Sequence, residues 1–157
     1  MNKTIIEFIS EQTCASLCCV DEAGKPYCFS CYYAIDVEAA LLYFKSSGET
    51  HHSKLLKKNP QIAGTILPDK LSTFIVKGLQ LDGDLLADDH PMAHKASVFY
   101  HKKHPMALAV NGNVWTIKIN NIKMTDSTLG FGKKIACERA HEELVNEREI
   151  VNNLSLN

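Results

Sequence analysis

Two stretches of this chain bring cationic, hydroxyl and glycine residues together at spacings suited to holding an anion. In residues 123–134, KMTDSTLGFGKK, a polar run leaves an apolar strand, Gly130 and Gly132 flank Phe131, and Lys133 and Lys134 follow. Glycine lets backbone amides approach a ligand, and the two lysines are mobile point charges. The same residues also suit an ordinary glycine-bearing strand exit with solvated lysines. In residues 44–54, FKSSGETHHSK, a strand end passes through small hydroxyl residues and Gly48 into the first turn of a helix. Unpaired amides and the helix dipole attract negative charge there. Ser46, Ser47 and Thr50 carry hydroxyls able to donate to phosphate oxygens. His51 and His52 add charge-assisted hydrogen bonds when protonated, a state that a bound phosphate favours. A plain helix cap with two exposed histidines is the competing reading.

The elements that must position these residues follow from periodicity and breakers. Thr4 with Glu7 reads as a capping box, opening a first helix whose apolar face is Ile5, Ile6, Phe8 and Ile9 and which ends before Cys14. Strand patterns cover residues 14–20, 27–35 and 39–45, the first two joined by the turn-rich DEAGKP at 21–26. Residues 50–59 read as a second helix stopped by Pro60. Residues 61–67 and 73–87 are strands, the second interrupted by Gly78 and Gly83, which suit a bulge or bend in a curved sheet. A third helix runs from Asp88 and Asp89 to about His104, and a last strand covers 114–124. Short strands on tight turns with inserted helices predict a closed or nearly closed antiparallel barrel flanked by helices.

Composition narrows the function. The 157 residues carry 17 Lys+Arg against 18 Asp+Glu and a formal net charge of −1, so no basic stripe exists for nucleic acid. No apolar run approaches the roughly 20 residues of a membrane span, and the first residues lack a signal-peptide core. The expectation is a cytoplasmic protein with neither membrane nor nucleic acid as partner.

Six cysteines invite a zinc or disulfide reading, and Cys28 and Cys31 have the CxxC spacing. They fall in the aromatic, β-forming run 27–35, however, where positions i and i+3 face opposite sides of the sheet. Cys18 and Cys19 likewise point apart, so most of the cysteines read as small reduced core residues, with zinc as the alternative. His90 and His94 stand at i and i+4, with His101 and His104 beyond, but no carboxylate or thiolate is placed to complete a metal site. Surface histidines are the simpler reading, with Asp88 and Asp89 capping the helix.

In its element order and its 123–134 stretch the chain resembles the uncharacterised YhbP-type branch of the flavin-binding split barrels, the superfamily of pyridoxamine 5'-phosphate oxidase. The resemblance runs from about residue 4 to residue 134 and implies a mainly β fold: a six- to seven-stranded antiparallel split β-barrel of Greek-key topology, flanked by helices. It implies an FMN-binding domain over 1–136, leaving 137–157 as a charged, helical tail. It puts the FMN phosphate at Ser46, Ser47, Thr50, His51 and His52, with histidines where such barrels usually carry arginine and lysine. It sets Ser30, Cys31, Tyr32 and Tyr33 beside the isoalloxazine, where strand alternation lets only one tyrosine face the ring, and it brings Gln80 within reach of the phosphate. Lys133 and Lys134 would offset charge on reduced flavin or on an anionic substrate. A homodimer with flavin between subunits, and hydride or electron transfer to a small molecule, complete the expectation. The arginines of pyridoxamine phosphate oxidase are missing, so that reaction is not expected. The alternative is a non-catalytic protein that binds or senses flavin, heme or deazaflavin, and a thiol or metal protein ranks last.

Overall fold

Residues 1–129 and 134–138 are described by a computed structural model of the protein. Their order is α1 (Lys3–Glu11), β1 (Cys14–Val20), β2 (Pro26–Asp36), β3 (Leu41–Ser46), α2 (His51–Lys58), β4 (Gln61–Ile66), β5 (Lys77–Leu85), α3 (Ala96–Lys103), β6 (Asn113–Asp126) and β7 (Lys134–Glu138), with three short 3-10 turns.

The sheet order is β3-β2-β1-β4-β5-β6-β7, and β3 also pairs with β6. Six antiparallel strands therefore close a barrel, and β7 is an extra strand. Placing β4 beside β1 after the β1-β2-β3 meander gives the Greek-key order. The long β6 is shared: Asn113–Lys118 pair with β3, whereas Asn121–Thr125 pair with β7. Closure rests on alternation. Leu17, Tyr33, Phe44, Ile66, Leu79, Ile117 and Met124 point inward and are fully buried, each large side chain contributing on the order of 1.5–3 kcal/mol. A second layer (Ala34, Leu41, Tyr43, Ala96 and Tyr100) packs α3 onto the outside of β2 and β3. Between Asp82 and Gly83 the β5–β6 register shifts, and a Cβ on Gly83 would collide with the Lys118 carbonyl. Glycine is thus required at this bulge.

Several boundaries differ from the sequence expectation for local reasons. Helix α1 is capped by Asn2, whose Oδ1 accepts from Thr4 N at 2.9 Å, not by Thr4. Glu7 instead makes an exposed contact with Lys3. Strand β5 begins at Lys77 because Ser72 Oγ accepts from the amides of Phe74 and Ile75, turning that segment out of the sheet. The single helix expected from Asp88 is a 3-10 turn, Pro91–Ala93, followed by α3. His90 caps the turn through Nδ1, which accepts from Met92 N, so Asp88 and Asp89 are not its cap. Cys137 and Glu138, expected to open a helical tail, end β7 instead, where Ile135 and Cys137 turn half-buried against the barrel. Gly130, Phe131, Gly132, Lys133 and the tail from 139 lie outside the described residues.

The cysteines also need correcting. Only Cys19 is buried; Cys14 and Cys28 are exposed, and Cys18, Cys31 and Cys137 are intermediate. Cys14, Cys18 and Cys28 alternate along the outer face of the β1–β2 hairpin, where they reach solvent fully or in part.

Candidate functional site

The end of β3 and the start of α2 form a polar cluster. Thr50 is the N-cap of α2, its Oγ1 accepting from Ser53 N, and Ser53 Oγ donates to Ser47 O at 2.9 Å. His52 Nε2 sits 2.8 Å from Ser46 Oγ and 3.1 Å from Thr50 Oγ1, which are 3.2 Å from each other. Three hydrogen-bonding atoms thus converge at the opening turn of a helix, the arrangement expected of an anion subsite.

Aromatic rings set the position of the cluster. Phe29 on β2 stacks against His52 with centroids 3.9 Å apart and 8° between planes. Tyr27 meets His51 edge-on at 4.7 Å. Trp115 stacks on Phe44 and donates from Nε1 to Ser46 O at 3.0 Å, fixing the strand end that carries Ser46. Burial, with a smaller contribution from neighbouring His51, pushes the His52 pKa down. Without a ligand this favours the neutral imidazole, and the charge-assisted bonds expected of a protonated ring require a bound anion. An arriving dianion opposes that shift.

Lys57 belongs to the same place and was not anticipated. Its Nζ lies 5.8 Å from the Trp115 ring centroid and 3.6 Å from where a Cβ on Gly48 would stand. The available signal was its spacing from Thr50: two helical turns, hence one face.

The other anticipated residues that are described do not join this cluster within one chain. Tyr33 is fully buried, and its hydroxyl donates to Ile9 O. Cys31 is half-buried, with its thiol pushed up to about 12 by burial and, less, by Cys14. Ser30 and Tyr32 face outward, Tyr32 being 64 % exposed, whereas Phe29 between its neighbours points to the cluster side. Gln80 is exposed on the same outer face, opposite Thr65 and Lys123 in register. Lys134 is exposed at the start of β7.

A second group lies between α3 and β6. Lys45 Nζ donates to Ala107 O at 2.7 Å and contacts His101 Nε2 at 3.2 Å. An ammonium only donates, so Nε2 accepts and the ring proton sits on Nδ1, 2.9 Å from Ser97 O. His104 Nε2 bonds Tyr33 O at 2.8 Å. Next to Ser97 and His101 is a pocket of about 390 Å³ that His94, Asn113 and Thr116 also line. The Thr116 hydroxyl is buried and has no hydrogen-bond partner among the described residues. Among the described residues no group of three His, Cys, Asp or Glu side chains is placed to hold a metal ion, and no helix is long and apolar enough to cross a membrane.

No family model matches the chain. Curated relatives do. The chain is 31 % identical over 135 residues to UPF0306 protein plu4501 of Photorhabdus laumondii, covering 86 % of this chain and 94 % of that protein. It is 31 % identical over 124 residues to UPF0306 protein YhbP of Escherichia coli O127:H6, covering 77 % and 86 %. Among solved structures it resembles a heme binding protein from Mycobacterium smegmatis, with a TM-score of 0.69 and 12 % identity, over 83 % of this chain but only 55 % of that one. It also resembles a FAD-binding protein from Mesorhizobium loti, with a TM-score of 0.63 and 15 % identity, over 80 % and 95 %. At such identities the structures establish the split-barrel fold alone. The sequence relatives establish more, since they match at about a third identity over nearly their whole length: the chain belongs to the UPF0306 family, that of YhbP.

Proposed function

We propose that the protein is an FMN-binding flavoprotein of the pyridoxamine 5'-phosphate oxidase-like kind, transferring hydride or electrons to a small molecule. The observation that carries this reading is the convergence of Ser46 Oγ, Thr50 Oγ1 and His52 Nε2 at the N-terminus of α2. The donor set fits a phosphate: two hydroxyls that can rotate outward, an imidazole, the first-turn amides and the Lys57 ammonium over Gly48. Bound there, FMN would supply the redox chemistry. The chain's part would be to grip the phosphate and to orient the ribityl and ring portions along the barrel.

A homodimer accompanies this reading. Leu71, Phe74 and Val76 lie 76 %, 94 % and 67 % exposed on the β4–β5 connection, an apolar patch that supports association. Ser30, Tyr32 and Gln80 open outward, where a second subunit could complete a ring site with them. Heme is the second reading, supported by what the M. smegmatis neighbour is named for. Acid release and absorbance of any cofactor, with titration of the apo-protein by FMN and by heme, distinguish the two. FMN binding that weakens in Lys57→Ala and His52→Ala supports the flavin reading. A Soret band with no FMN uptake would replace it.

A further inference from the structure

Strand β1 pairs with β2 so that Cys18 stands directly opposite Cys28. No other two of the six cysteines are opposed: Cys14 faces Tyr32, Cys19 faces Tyr27, Cys31 faces Ala15 and Cys137 faces Ile122. In an antiparallel ladder, opposed residues alternate between hydrogen-bonded pairs and non-hydrogen-bonded pairs whose side chains are closer. Two bonds at the ends of the hairpin fix the phase. Asp21 N donates to Lys25 O at 3.0 Å, and Tyr33 N donates to Thr13 O at 3.2 Å. Odd-numbered β1 residues therefore occupy hydrogen-bonded sites, and Pro26, which has no N–H, properly falls opposite Val20 at a non-bonded one. Cys18 and Cys28 thus form a non-hydrogen-bonded pair, for which the Cα separation is about 4.5 Å. That lies at the short end of the roughly 4.4–6.8 Å range that a disulfide spans.

Both side chains lie on the outer face, Cys28 exposed and Cys18 partly so. The Cys28 side chain is the largest influence on the Cys18 thiol, raising its pKa, with burial second. Cys28 also sits between Tyr27 and Phe29, the two rings that meet His51 and His52.

We propose that Cys18 and Cys28 are a dithiol that hydrogen peroxide converts into an intramolecular disulfide closing the β1–β2 hairpin. One sulfur, as thiolate, attacks a peroxide oxygen, forming an S–O bond and breaking the O–O bond, and the leaving oxygen departs as water after protonation. The second sulfur displaces the oxygen from the first, which leaves as a second water. Two thiols lose two electrons, the peroxide gains them, and the products are one disulfide and two waters. The bond would lie on an exposed face of the hairpin, which puts it among the readily reduced disulfides. The inference does not depend on the flavin reading.

The test is thiol counting and peptide mapping on the full chain treated with one equivalent of hydrogen peroxide under native conditions. The expected result is loss of two of the six thiols and of two hydrogen masses, a single Cys18–Cys28 crosslink, and full recovery with dithiothreitol. Either Cys18→Ser or Cys28→Ser should abolish the crosslink. Should a variant fail to fold, differential alkylation of the unaltered protein before and after peroxide reads the same pair. Peroxide leaving oxygen adducts on single cysteines, or linking two chains through Cys14, with Cys18 and Cys28 unjoined, would overturn it.

Discussion

The His52 imidazole lies flat on the Phe29 ring, 3.9 Å between centroids and 8° from parallel, and this contact with β2 gives His52 a titration of its own. Burial holds its folded pKa below the ordinary value, so between that value and about 6.5 the unfolded chain binds more protons than the folded one. Stability from the neutral ring is full above about pH 6.5 and falls as pH drops toward the folded pKa. A bound phosphate dianion reverses the preference, because it favours imidazolium. FMN should therefore bind about three- to tenfold more tightly near pH 6 than near pH 8, in line with the strength of a charge-assisted hydrogen bond. His52→Gln should flatten both profiles. Calorimetric titration at the two pH values checks this, and an unchanged pH slope in the variant would remove His52 from the anion site.

Lys57 provides a test without a titration. Its ammonium stands over Gly48 and the Trp115 ring, and the residue is exposed, so Lys57→Ala should leave the melting temperature nearly unchanged. The same change should weaken FMN severalfold, and the loss should shrink with added salt, as expected of an exposed charge. Equal affinity at low salt would place the phosphate elsewhere.

Thr116 makes the opposite kind of prediction. Its hydroxyl is buried with no partner among the described residues, on a residue 2 % exposed, so replacing it by the isosteric valine removes an unmet polar group without opening a cavity. Thr116→Val should stabilise the protein by about 1 kcal/mol, read as a shift of the urea midpoint at constant slope. A destabilised variant would mean that water or a ligand satisfies the hydroxyl in solution.

The barrel was legible where burial alternates along one strand. Strand β1 carries inward Ala15, Leu17 and Cys19 between outward neighbours, and its expected bounds match those observed. Helix α2 was legible from Thr50 and Pro60, local signals at each end. The misses came from competition that letters do not rank. Asn2 won the cap from Thr4, the hydroxyl of Ser72 drew two amides out of the β5 pattern, and His90 capped a separate 3-10 turn ahead of α3. That the hydroxyls of Ser46 and Thr50 would cluster with His52 was legible because these residues are close in sequence. Phe29, Trp115 and Lys57 were not, since they reach Ser46, Gly48 and His52 only through strand pairing and the turn of α2. Nor could periodicity show that Ser30 and Gln80 lie on the outward face while Tyr33 is sealed inside.

Asp126 shows how β5 and the end of β6 are tied, and it carries the last prediction. The carboxylate is 3 % exposed; its Oδ1 accepts from Thr128 Oγ1 at 2.6 Å and from Thr128 N at 3.0 Å, and its Oδ2 meets Lys77 Nζ at 3.3 Å. Desolvation pushes its pKa up, but the Thr128 hydrogen bonds and the Lys77 ammonium together outweigh that and leave it below the ordinary carboxylate value. A group with a depressed folded pKa contributes stability that is full above its unfolded value, about 4, and that is lost as pH falls through the folded value. Asp126→Asn should therefore cost about 2 kcal/mol at neutral pH, the scale of a hydrogen bond to a charged group. The gap between variant and parent should narrow as pH falls below about 4, because the parent then loses the same charge. Denaturant unfolding at pH 7 and near pH 3 measures it, and a gap that stays constant across that range would mean that shape, not charge, holds this corner of the barrel.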